Sequence, residues 1–147
     1  MILRKLICSL LAILSISVVT FDLKAQGNGS NAKTGKASYY HPKFVGRKTA
    51  TGEVFSNNKY TAACNQYPLG TYLRVTNTKN GKVVYVKVND RIGHPQRIID
   101  LTQRAASDLK YVNSGLTNVK IEVVNDDEGK RKIFAQTTGD MVDDNTL

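Results

Sequence analysis

Between residues 73 and 88 the chain alternates about a turn signal, and this stretch constrains the fold more than any other. Leu73 and Val75 alternate with Arg74 and Thr76, and Val84, Val86 and Val88 alternate with Val83, Tyr85 and Lys87. A period of two places each apolar set on one face of a pleated strand. Between the runs, Asn80-Gly81 supplies the two positive-φ residues of a tight type I′ turn, which predicts a hairpin. Shorter runs of the same kind are Ala37-Ser38-Tyr39-Tyr40, Tyr60 to Cys64, Arg97 to Leu101, and the alternating Val119, Ile121 and Val123. One helix is predicted over Thr102 to Val112. There Ala105, Leu109 and Val112 recur at helical spacing, Thr102 can cap the start, and Asn113-Ser114-Gly115 ends it. Six short strands and one short helix in about 90 residues predict a small, mainly β barrel.

The flanks have a different character. Arg4 and Lys5 precede an apolar stretch from Leu6 to Val19, and Ala25 offers a small residue before Gln26. This is the pattern of a secretory signal over residues 1–25, too short for the roughly 20 residues of a membrane span. Residues 26–35, rich in Gly, Asn and Ser, are expected to be a flexible lead-in, residues 36–125 the barrel, and residues 126–147 a disordered charged tail with Ile133-Phe134 available for a short contact. Cys8 lies inside the signal, ahead of most of its apolar run, which argues against lipidation, so the mature chain keeps only Cys64 and forms no internal disulfide. The expected product is an exported monomer of the periplasm or cell envelope, without a membrane span.

Charge narrows the chemistry. Residues 26–125 carry 15 Lys and Arg but only five carboxylates: Glu53, Asp90, Asp100, Asp108 and Glu122. Such a domain is drawn to polyanionic surfaces, and any carboxylate catalysis must use those five residues. Export argues against a nucleic-acid partner. His41 and His94 stand far apart with no Cys, His or Asp at ligand spacing, so no metal is expected. No phosphate-binding or nucleotide fingerprint is present, so no cofactor is expected either.

Several runs stand together in order: Gly35-Lys36-Ala37-Ser38-Tyr39-Tyr40, Phe44 to Phe55 with Thr49-Ala50-Thr51-Gly52-Glu53 inside it, and Thr61-Ala62-Ala63. Leu69-Gly70-Thr71, Arg74-Val75-Thr76-Asn77, Val88-Asn89-Asp90-Arg91, Arg97-Ile98-Ile99-Asp100-Leu101-Thr102 and Ala105-Ala106 follow. Over Gly35 to about Val124 this set resembles the RlpA-like (rare lipoprotein A) family, whose domain is a six-stranded double-psi β-barrel similar to that of expansins. The resemblance implies an endolytic lytic transglycosylase that cuts the β-1,4 bond between MurNAc and GlcNAc in peptidoglycan, prefers strands stripped of stem peptides and leaves 1,6-anhydro ends. It places the family's acidic positions on Glu53, Asp90 and Asp100, and puts Cys64 where the family has a groove histidine. The family's frequent C-terminal SPOR domain has no counterpart after Asn125 in these residues. The alternative is a non-catalytic, expansin-like peptidoglycan-binding barrel that lost activity through the change to Cys64.

Glycosidic cleavage needs a carboxylic acid to protonate the leaving oxygen and a group to stabilise the cationic sugar. A transglycosylase needs no activated water, because the sugar's own 6-hydroxyl attacks. Glu53 and Asp100 are the expected pair, with Asp90 third, and Tyr39, Tyr40, Arg47, Cys64 and Arg91 the expected substrate contacts. Each has a plainer reading: Asp100 can serve the start of the helix, Glu53 a surface ion pair, Asp90 a turn or a pair with Arg91, Cys64 a small buried hydrophobe.

Overall fold

The computed structural model describes residues 32–139. The predicted export signal over residues 1–25, most of the predicted lead-in and residues 140–147 lie outside the described residues. Six strands form a closed barrel: β1 (Lys33–Tyr39), β2 (Thr61–Ala63), β3 (Tyr72–Asn77), β4 (Val83–Asp90), β5 (Arg97–Leu101) and β6 (Thr117–Val124). Their spatial order is β1-β5-β2-β4-β3-β6. The β1–β5 and β2–β4 pairs are parallel, and the other four are antiparallel. Every predicted strand is present, and the fold is the expected mainly β barrel. The interior is filled by the alternating residues: Leu73, Val75, Val84, Val86, Val88, Ile99, Leu101, Val119 and Ile121 are buried. Ala105, Ala106 and Leu109 of the first helical segment pack against the same core.

Three local expectations need correction. The β3–β4 turn is a longer loop and not a type I′ turn. Gly81 has φ +73°, whereas Asn80 does not have a positive φ. Its amide Nδ2 instead donates to Leu109 O at 3.0 Å, beside Asn77 Nδ2 on the same oxygen at 2.9 Å. Those two amides also explain the second difference. The helix α1 spans only Gln103–Asp108, capped at its start by Thr102 as predicted, and the chain leaves it at Lys110 with φ +57°. A helix end whose carbonyl is satisfied from outside needs no further turn. A short 3₁₀ helix, Val112–Ser114, then closes on Gly115. Third, β1 begins inside the predicted lead-in, because Lys33, Thr34 and Gly35 pair with Ile121, Lys120 and Val119. The ladder uses main-chain groups, so a polar composition does not prevent pairing.

The largest correction is the tail. Residues 126–138 form a second helix, α2 (Asp126–Thr138), so the described part of the predicted disordered segment is ordered. Asn125 caps it by accepting from Glu128 N at 2.8 Å, three acids occupy its first turn, and Gly139 ends it at φ +79°. Caps and acids at the N-terminus suit the helix dipole. Its inner stripe is Gly129, Ile133 and Gln136, one narrow seam at i, i+4 and i+7. Gln136 reaches the main chain of β4, where Tyr85 N donates to Oε1 at 2.6 Å and Nε2 donates to Tyr85 O at 2.9 Å. Because β2 is three residues long and pairs only with the end of β4, Tyr85 would otherwise lack a strand neighbour on that side. One glutamine takes the place of a missing strand.

Candidate active site

Ala63 sits between two of the candidate carboxylates. It pairs with Asp100 of β5 on one side and with Asp90 of β4 on the other, past a bulge in the β2–β4 ladder. Two ladder steps place those aspartate Cα atoms roughly 10 Å apart. Ile99 and Leu101 are fully buried, so Asp100 between them faces outward.

The loop from His41 to Phe55 folds over this outer face. Tyr40 OH donates to Asp90 Oδ2 at 2.8 Å, and Ala50 N and Arg91 N donate to Asp90 Oδ1 at 3.0 and 2.9 Å. The Tyr40 ring packs on Phe55, with centroids 4.3 Å apart, and on Phe44 at 6.0 Å. Burial, the hydrogen bond to Asp90 and the negative charges of Asp90 and Asp100 push the Tyr40 hydroxyl far above the usual tyrosine range. It therefore remains a donor to Asp90 at any working pH. Glu53, exposed at the loop's far end, accepts from Asn89 Nδ2 at 3.1 Å. Asn89 also receives Thr51 N on its carbonyl at 3.1 Å. Glu53 and Asp90 are thereby held beside each other through one residue.

Asp100 is differently engaged. Both of its oxygens face the Arg97 guanidinium, Nε to Oδ1 at 2.8 Å and Nη2 to Oδ2 at 3.0 Å. Such an anion can balance a developing positive charge but is less free to reach a leaving group. It does not act as the helix cap, a role held by Thr102.

The expected substrate contacts divide. Arg47 is exposed, with its guanidinium 5.2 Å from the Phe44 ring centroid. Tyr40 is half-buried, at the floor beside Asp90. Tyr39 turns toward the core: its hydroxyl donates to Val112 O at 3.1 Å and its ring meets Tyr111 edge-on. Arg91 clamps the loop after β2, donating through Nη1 to Cys64 O and, at 2.8 Å, to Tyr67 O. Cys64 has no exposed surface and belongs to the core cluster. The expectation that it touches substrate is therefore corrected, because a small apolar side chain at that position turns inward and supports the floor from beneath. Burial pushes its thiol up, partly opposed by the N–H groups of Gln66 and Tyr67 and by the charge of Arg91. Native protein at pH 8 is expected to react with a thiol-directed disulfide reagent at least ~100-fold more slowly than unfolded protein. Rapid stoichiometric labelling of the folded chain would contradict this.

Sequence reasoning missed Asn89, which positions Glu53, and Asn65, whose amide exchanges two hydrogen bonds with the main chain of Ile92 and fixes the loop after Arg91. The signal for Asn89 was its place beside Asp90 in the Val-Asn-Asp-Arg run. His41 and His94 are exposed, each accepting from a main-chain N–H two residues onward in its own loop. Among the described residues, no group of three or more His, Cys, Asp or Glu side chains is placed to hold a metal ion. Two cavities, of about 390 and 480 Å³, lie elsewhere on the surface, and none of the three candidate carboxylates lines either one. Glu53 is exposed, whereas Asp90 and Asp100 are half-buried.

A family model described as lytic transglycolase matches residues 32–121. The endolytic peptidoglycan transglycosylase RlpA of Neisseria meningitidis serogroup A is 52% identical over 93 residues, which cover 63% of this chain and 39% of that protein. This chain thus spans about two-fifths of that relative's length. Among solved structures, the Streptomyces papain inhibitor superposes with a TM-score of 0.53 at 25% identity, covering 64% of this chain and 94% of that one. A mutant expansin of Clavibacter michiganensis in complex with cellohexaose has a TM-score of 0.51 at 22% identity, covering 65% and 51% of the two chains.

Proposed function

This chain belongs to the lytic transglycolase family, with the double-psi β-barrel fold, and from that premise we propose that it is an endolytic peptidoglycan transglycosylase. The observation that carries the reading is the Tyr40–Asp90 and Asn89–Glu53 constellation on the outer face of the barrel. Its substrate is the glycan strand, cut at the β-1,4 bond between MurNAc and GlcNAc, with a preference for peptide-stripped strands. Glu53, exposed and held by a single amide, donates the proton to the leaving oxygen. Asp90, oriented by three donors, accepts the proton of the sugar's 6-hydroxyl as it closes onto the anomeric carbon. The reaction leaves Glu53 ionised and Asp90 protonated; a proton passed from Asp90 to Glu53 through solvent resets both, no water is consumed, and the product is a 1,6-anhydro end. Asp100, fixed by Arg97, contributes negative charge to the oxocarbenium-like transition state. Tyr40, Arg47 and Arg91 are positioning groups around the groove. The protein acts in the cell envelope after export on residues 1–25, as an unlipidated monomer.

One observation favours a second reading, a non-catalytic expansin-like barrel. Cys64, at the position where the resemblance implies a family histidine, is buried, and both histidines of the described residues are exposed in loops of their own. Mass spectrometry of peptide-stripped glycan strands after incubation with the purified protein separates the two. Anhydro-ended fragments establish the transglycosylase. Intact strands that nevertheless co-sediment with the protein establish the binding barrel, and Cys64→His is then the variant in which to look for restored cleavage.

A further inference from the structure

The larger of the two cavities, about 480 Å³, lies where the loop carrying Glu53 meets α1. Its wall is unusual for so basic a domain. Asn57, Asn58, Gln103, Ser107 and Asn113 line it, with no lysine among the lining residues. Its two charged residues are turned onto a common partner: Tyr60 OH donates to Asp108 Oδ2 at 2.5 Å, and Arg104 Nε donates to Tyr60 OH at 3.1 Å. What faces the cavity is thus nearly neutral and rich in amides, each of which offers both donors and an acceptor. The frame behind it is built, because Asn57 Oδ1 accepts Gln103 N at 2.9 Å and Asn57 O accepts Arg104 N at 3.1 Å. The other end of the Asn57 amide, Nδ2, is buried with no hydrogen-bond partner among the described residues. A buried donor without an acceptor is uncommon, but with almost no accessible surface this one belongs to the frame and not to the face a ligand meets.

The cavity is also close to the carboxylates. Gln103 lies three residues after Asp100 and Asn57 four after Glu53, so their Cα atoms are at most ~11 and ~14 Å from those of the respective acids. A polymer lying between Glu53 and Asp100 needs only a short extension to reach it. We propose that this amide-lined cavity is a second glycan subsite, which holds a neutral N-acetylated sugar unit of the strand being cut. The ligand class rests on the peptidoglycan reading above. Ring hydroxyls and an acetamide match amide and hydroxyl side chains in both donor and acceptor sense, and the wall's one cation, Arg104, shares the Tyr60 hydroxyl with Asp108, so the wall carries no net positive charge to favour an anion. The subsite would lengthen the grip on the strand without touching the reacting bond.

The probe is chitotetraose, a soluble neutral N-acetylated oligosaccharide, added to the purified protein with side-chain amide signals followed by NMR. Shifts at Asn58, Gln103 and Asn113 are expected. The variant Gln103→Ala/Asn113→Ala removes two exposed amides that make no described side-chain hydrogen bond, and its melting temperature serves as the folding control. It is expected to bind chitotetraose at least ~10-fold more weakly and to raise KM on long glycan strands while kcat holds, the signature of lost uniform binding. Shifts confined to the Tyr40–Asp90 groove, or unchanged affinity in the double variant, would overturn the subsite while leaving the transglycosylase reading intact. Binding at these amides by a protein that cuts nothing would sustain the subsite and overturn the transglycosylase.

Discussion

Replacing Asp90 with asparagine is expected to lower turnover of peptide-stripped glycan by about a thousandfold while the barrel stays folded. Asparagine keeps an oxygen for the main-chain N–H groups of Ala50 and Arg91, and its amide nitrogen, in the place of Oδ2, can donate to the Tyr40 hydroxyl, which turns from donor to acceptor. What is removed is the negative charge and the capacity to take a proton. Glu53→Gln should cause a loss of similar size for the complementary reason, since its amide cannot give up a proton to the leaving oxygen. Asp100→Asn should behave differently. It leaves the half-buried Arg97 without its carboxylate, so stability suffers more than in the other two variants, while turnover falls less. The three rates on one glycan preparation, beside three melting temperatures, check the assignment. Turnover in Asp90→Asn within threefold of the parent would remove Asp90 from the chemistry.

The second large effect concerns folding, and its sign runs against propensity. Glycine inside a helix is ordinarily about 1 kcal/mol worse than alanine, so Gly129→Ala ought to strengthen α2. Here a β-carbon at residue 129 would lie 2.3 Å from Tyr72 Cγ and 2.4 Å from Tyr72 Cβ. Tyr72 is itself buried on β3, paired to both β4 and β6, and cannot move aside without disturbing two ladders. The helix must lift, and lifting it withdraws Gln136 from both main-chain groups of Tyr85. Overpacking combined with two lost buried hydrogen bonds is expected to destabilise the fold by about 2–3 kcal/mol net. For a domain of this size that is a fall of roughly 10–15 °C in melting temperature. An unchanged or raised melting temperature would show that α2 is not seated as described.

Gly129 also shows why α2 was not legible. A surface helix announces itself by an apolar stripe of period 3.6, but the seam here is a glycine, an isoleucine and a glutamine. Docking depends on close backbone approach at one end and on main-chain hydrogen bonds at the other, and neither leaves a hydrophobic pattern. Asn125, Glu128 and Gly139 were nevertheless readable as caps. The strands were legible because Val84, Val86 and Val88, like Ile99 and Leu101, face a single core, so alternation and burial report the same fact. The Asn80-Gly81 turn misled because local preference was overridden by a tertiary acceptor, the carbonyl of Leu109. In the site, the run containing Asp90 was legible, but its relation to Glu53 was not. That relation passes through the Asn89 side chain, and a hydrogen bond between residues 36 positions apart in the chain leaves no spacing to read.

The order of the strands has a consequence for how the molecule comes into being. β1 is flanked by β5 and β6, so both of its neighbours are among the last strands of the barrel to be synthesised. Closure depends on long-range pairing from the outset, and such topologies fold slowly. A chain emerging from its N-terminus can assemble the β3–β4 hairpin early, but it keeps β1 unpartnered until Arg97 and then Thr117 to Val124 have appeared. During that interval it remains threadable. On the export route proposed above, a barrel whose first strand cannot be paired until its last strands are made would delay folding until the chain has crossed the membrane.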